Sequence, residues 1–513
     1  MKRLWLTVGM IFGLALLFIV GLGVILILSP GSRIFGIQYV SAFVGKNDVS
    51  EEYSEYIDGD IFVTTRDIPV IIDVQPYGRT KIEFSQHYHG YTLDRVNIPN
   101  CKITRTASGI EVKTSEVVKF LLGGNDAHYL KITVPYSWAT SGQHSIYVNG
   151  ENSPITLQSA DDVTLKFVDL TFNANNALNL NAKVVCKNLT AFSKQKQVFN
   201  DKVSAENYDI TTINGNLTFN GEIEGNLKVK TTSGSVYFKK VKGNAVITTG
   251  NGEVAGIDNI NPIIYGNATI ETGRGRVVID ELLGDSNHIK TAGGSITINT
   301  VLAGNIESAR GAITIDSFVS GTINGGVKDV TVKSVSTSAT IASTKGNVYV
   351  GEDATGKTAK NIKVSSTNGK ITAKNTIGSV EIYSSNGDIV LDNKSATSIK
   401  INGAKTVTAT GLLGSVDVSA QNDIYLTFRN VSGNVNVNGS ARCHNINIKA
   451  EHTNYNDVNV YLETTKGGNA SVYRGESLLK QGLKISPETE QATLKTIKVN
   501  APNCQINLYL KAA

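Results

Sequence analysis

The sequence has no long segment with a helical period, no block of lysine and arginine, and no cysteine pair in a metal-ligand spacing. The first absence excludes an α-helical body and points to an all-β fold. The second excludes the electrostatic footprint of a nucleic-acid binder. The formal net charge of +5 falls to +3 once Lys2 and Arg3 are set aside, and the rest is mixed evenly along the chain. The third absence excludes zinc and CxxC chemistry for Cys101, Cys186, Cys443 and Cys504. Their wide separations leave both disulfide pairing and four buried thiols open. Proline is scarce at 9 residues, aromatics at 7 % and charged residues at 18 %, whereas glycine is frequent at 49. Beyond the first thirty residues Thr, Ser, Asn, Val and Ile dominate, a composition of short strands and tight turns.

The N-terminus sets the expected compartment. Met1-Lys2-Arg3 precedes 25 residues without a charge, Leu4 to Leu28. At about 1.5 Å per residue, such a helix crosses a hydrocarbon core of about 30 Å with some tilt. Ser29-Pro30-Gly31 ends it, because proline cannot continue a helix and glycine relaxes the chain. The stretch is longer than the apolar region of a cleaved signal peptide, about 7–15 residues. Val40-Ser41-Ala42, the sole small-x-small site, lies too far beyond it. Residues 1–28 are therefore expected to be a cytoplasmic stub and an uncleaved transmembrane signal anchor, with the lipid bilayer as the partner of residues 4–28. The positive-inside tendency places the N-terminus in the cytoplasm and the C-terminal body outside it, in a single pass of the cell membrane.

Residues 29–57 read as a juxtamembrane linker, with the acidic run Glu51-Glu52-Tyr53-Ser54-Glu55. From residue 58 the chain alternates in short runs such as Val70-Ile71-Ile72-Asp73-Val74 and Lys81-Ile82-Glu83-Phe84. These predict an antiparallel β block over 58–155, closed by Ile132-Thr133-Val134-Pro135 and the turns after it.

Beyond it a repeat sets the architecture. Two small polar residues, any residue, glycine, any residue and then alternating apolar residues recur, as in Thr231-Thr232-Ser233-Gly234-Ser235-Val236 and Ser384-Ser385-Asn386-Gly387-Asp388-Ile389. The glycines fall at 234, 252, 275, 294, 311, 346, 369 and 387, with a degenerate copy near Gly326. Ser419-Ala420-Gln421-Asn422-Asp423-Ile424 keeps the frame with asparagine in the glycine position, a substitution that suits a left-handed backbone. A period near twenty residues, with two strands and two corners, is that of one coil of a β-solenoid, whose alternating Val and Ile stack on the next coil. The expected solenoid covers 156–450, with Thr, Ser and Asn ladders near its corners. Residues 451–513 lose the frame and read as a capping segment.

The membrane stretch, the block ending in Ile132-Thr133-Val134-Pro135 and the serial Ser-x-Gly-x-Val/Ile-x-Val/Ile coils resemble the bacterial adhesin-like family of unknown function. The resemblance runs over roughly residues 58–510, although this chain has a longer juxtamembrane segment and several degenerate coils. It implies a single-stranded β-helix on a cell-envelope protein, an adhesive role without a named ligand, and no catalytic residues; an extracellular glycan or protein is the expected class of partner.

Candidate chemistry is thin. His87-Tyr88-His89 sets two imidazoles on one strand face, without a third metal ligand nearby in sequence. Gly123-Gly124-Asn125-Asp126 echoes the start of a calcium-binding nonapeptide in a single copy, and such sites need tandem copies. Tyr56-Ile57-Asp58-Gly59-Asp60 lacks the spaced oxygen ligands of a calcium loop. Asp280, Glu281, Asp316, Asp388 and Asp423 are the carboxylates available for glycan hydrolysis on a β-helix, but they occupy varied frames within the coil. GxSxG, HExxH and P-loop motifs do not occur. Both tryptophans, Trp5 and Trp138, lie outside the predicted solenoid. The expectation is a non-enzymatic envelope protein, an adhesin or a spacer, without cofactor or metal. A polysaccharide-active enzyme and a self-assembling or envelope-stress accessory protein are the alternatives.

Overall fold

The computed structural model describes residues 12–20, 41–52, 59–92, 101–114, 122–199, 203–352 and 356–512. It divides into two compact units, residues 1–215 and 216–513. Residues 12–20 are helical, with Phe12, Leu16, Leu17 and Phe18 exposed. The remainder of the expected 4–28 span lies outside the described residues, and among the described residues no helix is long and apolar enough to cross a membrane.

The first unit corrects the expectation of an antiparallel block. Asp60–Arg66 lies between Gly109–Thr114 and Ile146–Glu151 and is parallel to both. The same stack continues, still parallel, through Thr164–Asn173, Lys183–Ser193 and Val203–Thr212. Ile110, Ile61, Ile146, Leu170, Leu189 and Tyr208 fall in register and are all buried. A second parallel stack runs through Leu122–Pro135, Val70–Gln75, Ile155–Ser159 and Leu178–Leu180. Among the described residues of this unit, antiparallel pairing is confined to Ser41–Glu52 on Lys81–Thr92, Lys81–Thr92 on Leu122–Pro135, and Cys101–Thr106 on Gly109–Thr114. Period-two alternation reports which face of a strand is buried, and it carries no information on the direction of the partner. The stretch read as a linker supplies the strand Ser41–Glu52.

The second unit is a β-solenoid with the predicted frame. Leu217, Val236, Val254, Val277, Ile296, Ile313, Val330, Val348, Ile371, Ile389, Val407, Ile424, Ile446 and Ile506 stack in parallel register. All fourteen are completely buried. Burying each such side chain contributes about 1.5–3 kcal/mol, and only the neighbouring coils supply the burial.

The corners explain the glycines differently from the expectation. Glycines 252, 275, 294, 311, 346, 369 and 387 are not in the left-handed region. They are required by crowding: a Cβ on Gly294 would overlap the carbonyl of Gly275, and one on Gly275 that of Gly252. The buried hydroxyl three residues earlier closes each corner. Thr249 and Thr272 donate to the carbonyls of Gly252 and Gly275 at 2.9 and 2.7 Å, and the N–H groups of Gly294 and Gly311 donate to Thr291 and Ser308 at 2.8 and 2.9 Å. Ser308 also reaches the coil before it, donating to the carbonyl of Gly294 at 3.2 Å. Between coils both amides and hydroxyls serve: Asn226 accepts from the N–H of Asn244, Asn244 from that of Asn267, and Asn267 from that of Ser286, each at 2.8–2.9 Å, and Ser334 donates to the carbonyl of Asp316 at 2.9 Å.

The segment 451–513 also departs from expectation, because its last part rejoins the frame. Lys495–Asn500 pairs in parallel with Val435–Gly439, and Gln505–Leu510 with Asn445–Ala450. Val458–Glu463 and Asn469–Arg474, which precede them in the chain, lie on their other side. The last coil in sequence is thus intercalated between two earlier ones. Ser477–Gly482 and Lys484–Ile485 add antiparallel strands to the far edges of Asn469–Arg474 and Val458–Glu463.

Two adjacent glycines separate crowding from flexibility. In thermal melts of the full-length protein, Gly294→Ala is expected to cost about 2–3 kcal/mol through overpacking. Gly293→Ala, whose Cβ would meet its nearest neighbour at 3.6 Å, is expected to stay within about 0.5 kcal/mol of wild type. Equal losses for the two would refute the crowding account.

Candidate functional site

The residue before each corner hydroxyl points outward and stacks on its counterparts. In one run this frame position holds Asn324, Ala342, Ser365, Tyr383 and Asn402, with Gly325 and Gly403 in place of the hydroxyl after the two asparagines. Small side chains at Ala342 and Ser365, between the longer Asn324 and Tyr383, leave a groove of about 640 Å³. Thr344, Thr367 and Ser385, on the corner side, and Gln421 complete its polar lining. Among the described residues no ionisable group other than the Tyr383 phenol lines it. Tyr383 is held in place, with its hydroxyl donating to Glu381 Oε2 at 3.1 Å and Lys363 Nζ lying 5.6 Å from the ring centroid. Five coils at about 4.8 Å spacing give the groove a length on the order of 20 Å. The frame offered a signal for it: this position is charged at Glu271, Lys290 and Glu307, then uncharged from Asn324 to Asn402.

The five carboxylates considered for glycan hydrolysis do not converge. Asp280 and Asp316 follow the inward residues Ile279 and Ile315, where Asp280 accepts from Asn299 and Asp316 pairs with Lys333 at 2.8 Å. Asp388 and Asp423 instead precede Ile389 and Ile424, in a different column, and accept backbone N–H groups of Thr406 at 3.2 Å and Asn445 at 2.9 Å. Glu281 sits in register with Ile263 and Thr300.

His87 Nε2 lies 3.3 Å from Asp48 Oδ1 on the neighbouring strand, and the side chain of His89 is outside the described residues. Among the described residues no group of three His, Cys, Asp or Glu side chains is arranged to hold a metal. Gly123, Gly124 and Asn125 belong to the strand Leu122–Pro135, paired with Gly90, His89 and Tyr88, so they form no cation-binding loop. Of the segment 56–60, Asp60 accepts the N–H of Ser145 at 2.8 Å and residues 56–58 lie outside the described residues. Trp138 is buried in the first unit, stacked on His144 and donating to the carbonyl of Gly59 at 3.1 Å. Cys186 is buried near Asp169, and burial above all pushes its thiol up to about 12, which makes it unreactive.

Two carboxylates have structural explanations. Burial raises Glu253, but hydrogen bonds from Arg276 and Tyr237 more than offset it, and its pKa lies below the ordinary range. Asp73 is nearly fully buried, and that burial is likewise outweighed by hydrogen bonds from Lys131 at 2.8 Å, Gln75 at 2.8 Å and Gln158 at 3.1 Å.

Residues 102–259 match the family model described as Toastrack DUF4097. That is well under half of the chain, and the family is a domain of unknown function. The match and the solenoid together fit a β-helical family without an assigned activity. No curated protein matches the chain, and neither does any solved structure.

The depressed pKa of Asp73 fixes the sign of a pH effect. A carboxylate whose folded pKa is lowered contributes stability above its unfolded pKa, about 3.9, and loses it as pH falls through the folded value. Urea unfolding should therefore show wild type losing stability below about pH 4 more steeply than Asp73→Asn, with the variant weaker by about 1–3 kcal/mol at pH 7. Parallel pH profiles would contradict the assignment.

Proposed function

We propose that this chain is a non-enzymatic, membrane-anchored envelope protein that uses the groove of its second unit to hold an extended, uncharged glycan. The observation that carries this reading is the groove lining, which combines hydroxyls, amides and one fixed aromatic face without a fixed charge. Sugars are recognised by donors and acceptors of that kind, and a neutral wall imposes no desolvation cost of unpaired ions. Tyr383 offers a flat, partly apolar surface at one end of the small-residue floor. Catalysis would need convergent carboxylates, and the aspartates are divided between two columns and engaged in structural bonds. The exposed apolar helix at residues 12–20 supports the anchor reading, since such a surface calls for a hydrocarbon cover. An extracytoplasmic body and an adhesive role follow from that anchor and that groove. A structural spacer is the second reading, favoured by the unbroken inward columns, which stiffen a stack whether or not anything binds to it.

Calorimetric titration of the full-length protein in a zwitterionic, sugar-free detergent tests the proposal. The probes are chitohexaose, maltohexaose and cellohexaose, with oligogalacturonate as the charged comparison. At least one neutral hexasaccharide is expected to bind, and Ser365→Tyr, which fills the groove floor, to weaken it at least tenfold without lowering the melting temperature. Absence of binding by every neutral probe, or unchanged affinity in Ser365→Tyr, would refute the groove as the contact site. Shortened products would reinstate the enzyme.

A further inference from the structure

Cys443 and Cys504 are 61 positions apart in sequence, yet their sulfur atoms lie 3.1 Å from each other. Both are buried. A covalent S–S bond is about 2.05 Å, so closure requires an approach of about 1 Å. The site is also fixed on the backbone. Cys504 donates its N–H to Thr464 Oγ1 at 3.1 Å and accepts from the same hydroxyl at 3.0 Å, while the N–H of Gln505 donates to the carbonyl of His444 at 2.9 Å. Gly439 leaves room for the pair, since a Cβ there would press on Cys443 Cβ and Sγ at 3.1 and 3.2 Å. The two sulfurs sit where the intercalated terminal coil meets the coil beneath it. That coil is held by neighbours on both sides and reached only after an excursion of the chain, so its docking carries a loop-closure cost.

We propose that Cys443 and Cys504 are a disulfide-forming pair that locks the intercalated C-terminal coil onto the coil below. With oxidised glutathione as oxidant, the Cys443 thiolate attacks one of its sulfurs, expels a glutathione thiolate and forms a mixed disulfide. The Cys504 thiolate then attacks the Cys443 sulfur and expels the second glutathione. Two electrons pass to the oxidant, and the two cysteine protons end on the two glutathione thiols. In the reduced pair the hydrogen shared between the sulfurs holds Cys443 below the ordinary thiol range and raises Cys504, while burial opposes ionisation of both. Attack on glutathione therefore takes place before the terminal coil docks, and docking brings Cys504 onto the mixed disulfide and then shields the bond. Cys101 and Cys186 belong to the first unit and take no part.

The full-length protein, equilibrated with oxidised glutathione, is unfolded in excess iodoacetamide and mapped without reduction. The expected result is alkylation of Cys101 and Cys186 together with a peptide that joins Cys443 to Cys504. Four alkylated cysteines, or a crosslink through Cys101 or Cys186, would overturn the proposal. Reduction is further expected to lower the melting temperature of wild type by several degrees and to leave that of Cys443→Ala unmoved. An equal response of the two would also count against the lock, and if Cys443→Ala fails to fold, the wild-type map alone decides.

Discussion

The spacing between stacked coils is the constraint on which the rest of the structure depends. Parallel strands in a sheet lie about 4.8 Å apart, and each coil turns its corner directly above the one below. There the backbone of one coil meets a carbonyl of the next with no room for a Cβ, which is the reason for glycine at 252, 275, 294 and 311. The same spacing places a side-chain oxygen of one coil within reach of an N–H of the next, as at Asn226, Asn244 and Asn267. It also sets every inward Val and Ile against its counterpart, so that the core is a set of columns rather than a centre.

Such a core leaves the outward positions free. Any outward residue can change without disturbing the column behind it, so chemistry on this scaffold is written in how one frame position varies from coil to coil. The run Asn324, Ala342, Ser365, Tyr383 and Asn402 is one such variation, and its small members create a concavity that no single coil could form. The aspartates show the opposite case. Asp316 and Asp388 stand in different columns, and each is engaged by a neighbour of its own.

Much of this was legible in the residues and some was not, for identifiable reasons. The coil frame was legible because the glycine, the hydroxyl three residues before it and the alternating apolar residues repeat together. The reason for the glycine was misread, since a Gly-to-Asn exchange at 422 suggests a left-handed backbone where crowding is the cause. Strand direction near Val70 and Ile146 was not legible, because alternation looks the same in parallel and antiparallel pairs. The groove was legible only after register was known, when Ala342 and Ser365 became neighbours. The pairing of Cys443 with Cys504 depended on the order of the coils in space, which sequence order does not give.

That order bears on how the end of the solenoid is protected. An open parallel stack presents free N–H and C=O groups, and a chain that stopped at Ala450 would offer such an edge to another molecule. Here Val458–Glu463 and Asn469–Arg474 form the outer level, the chain reverses through Ser477–Gly482, and Lys495–Asn500 with Gln505–Leu510 fills the level between. The antiparallel strands added at the outer level break the parallel template that a further coil would need. Because the terminal strands are paired on both sides, fraying of the C-terminus must break two ladders at once. Intercalation thus converts the least protected element of a stack into one of its better secured, at the cost of a long excursion that must find its register before it can close.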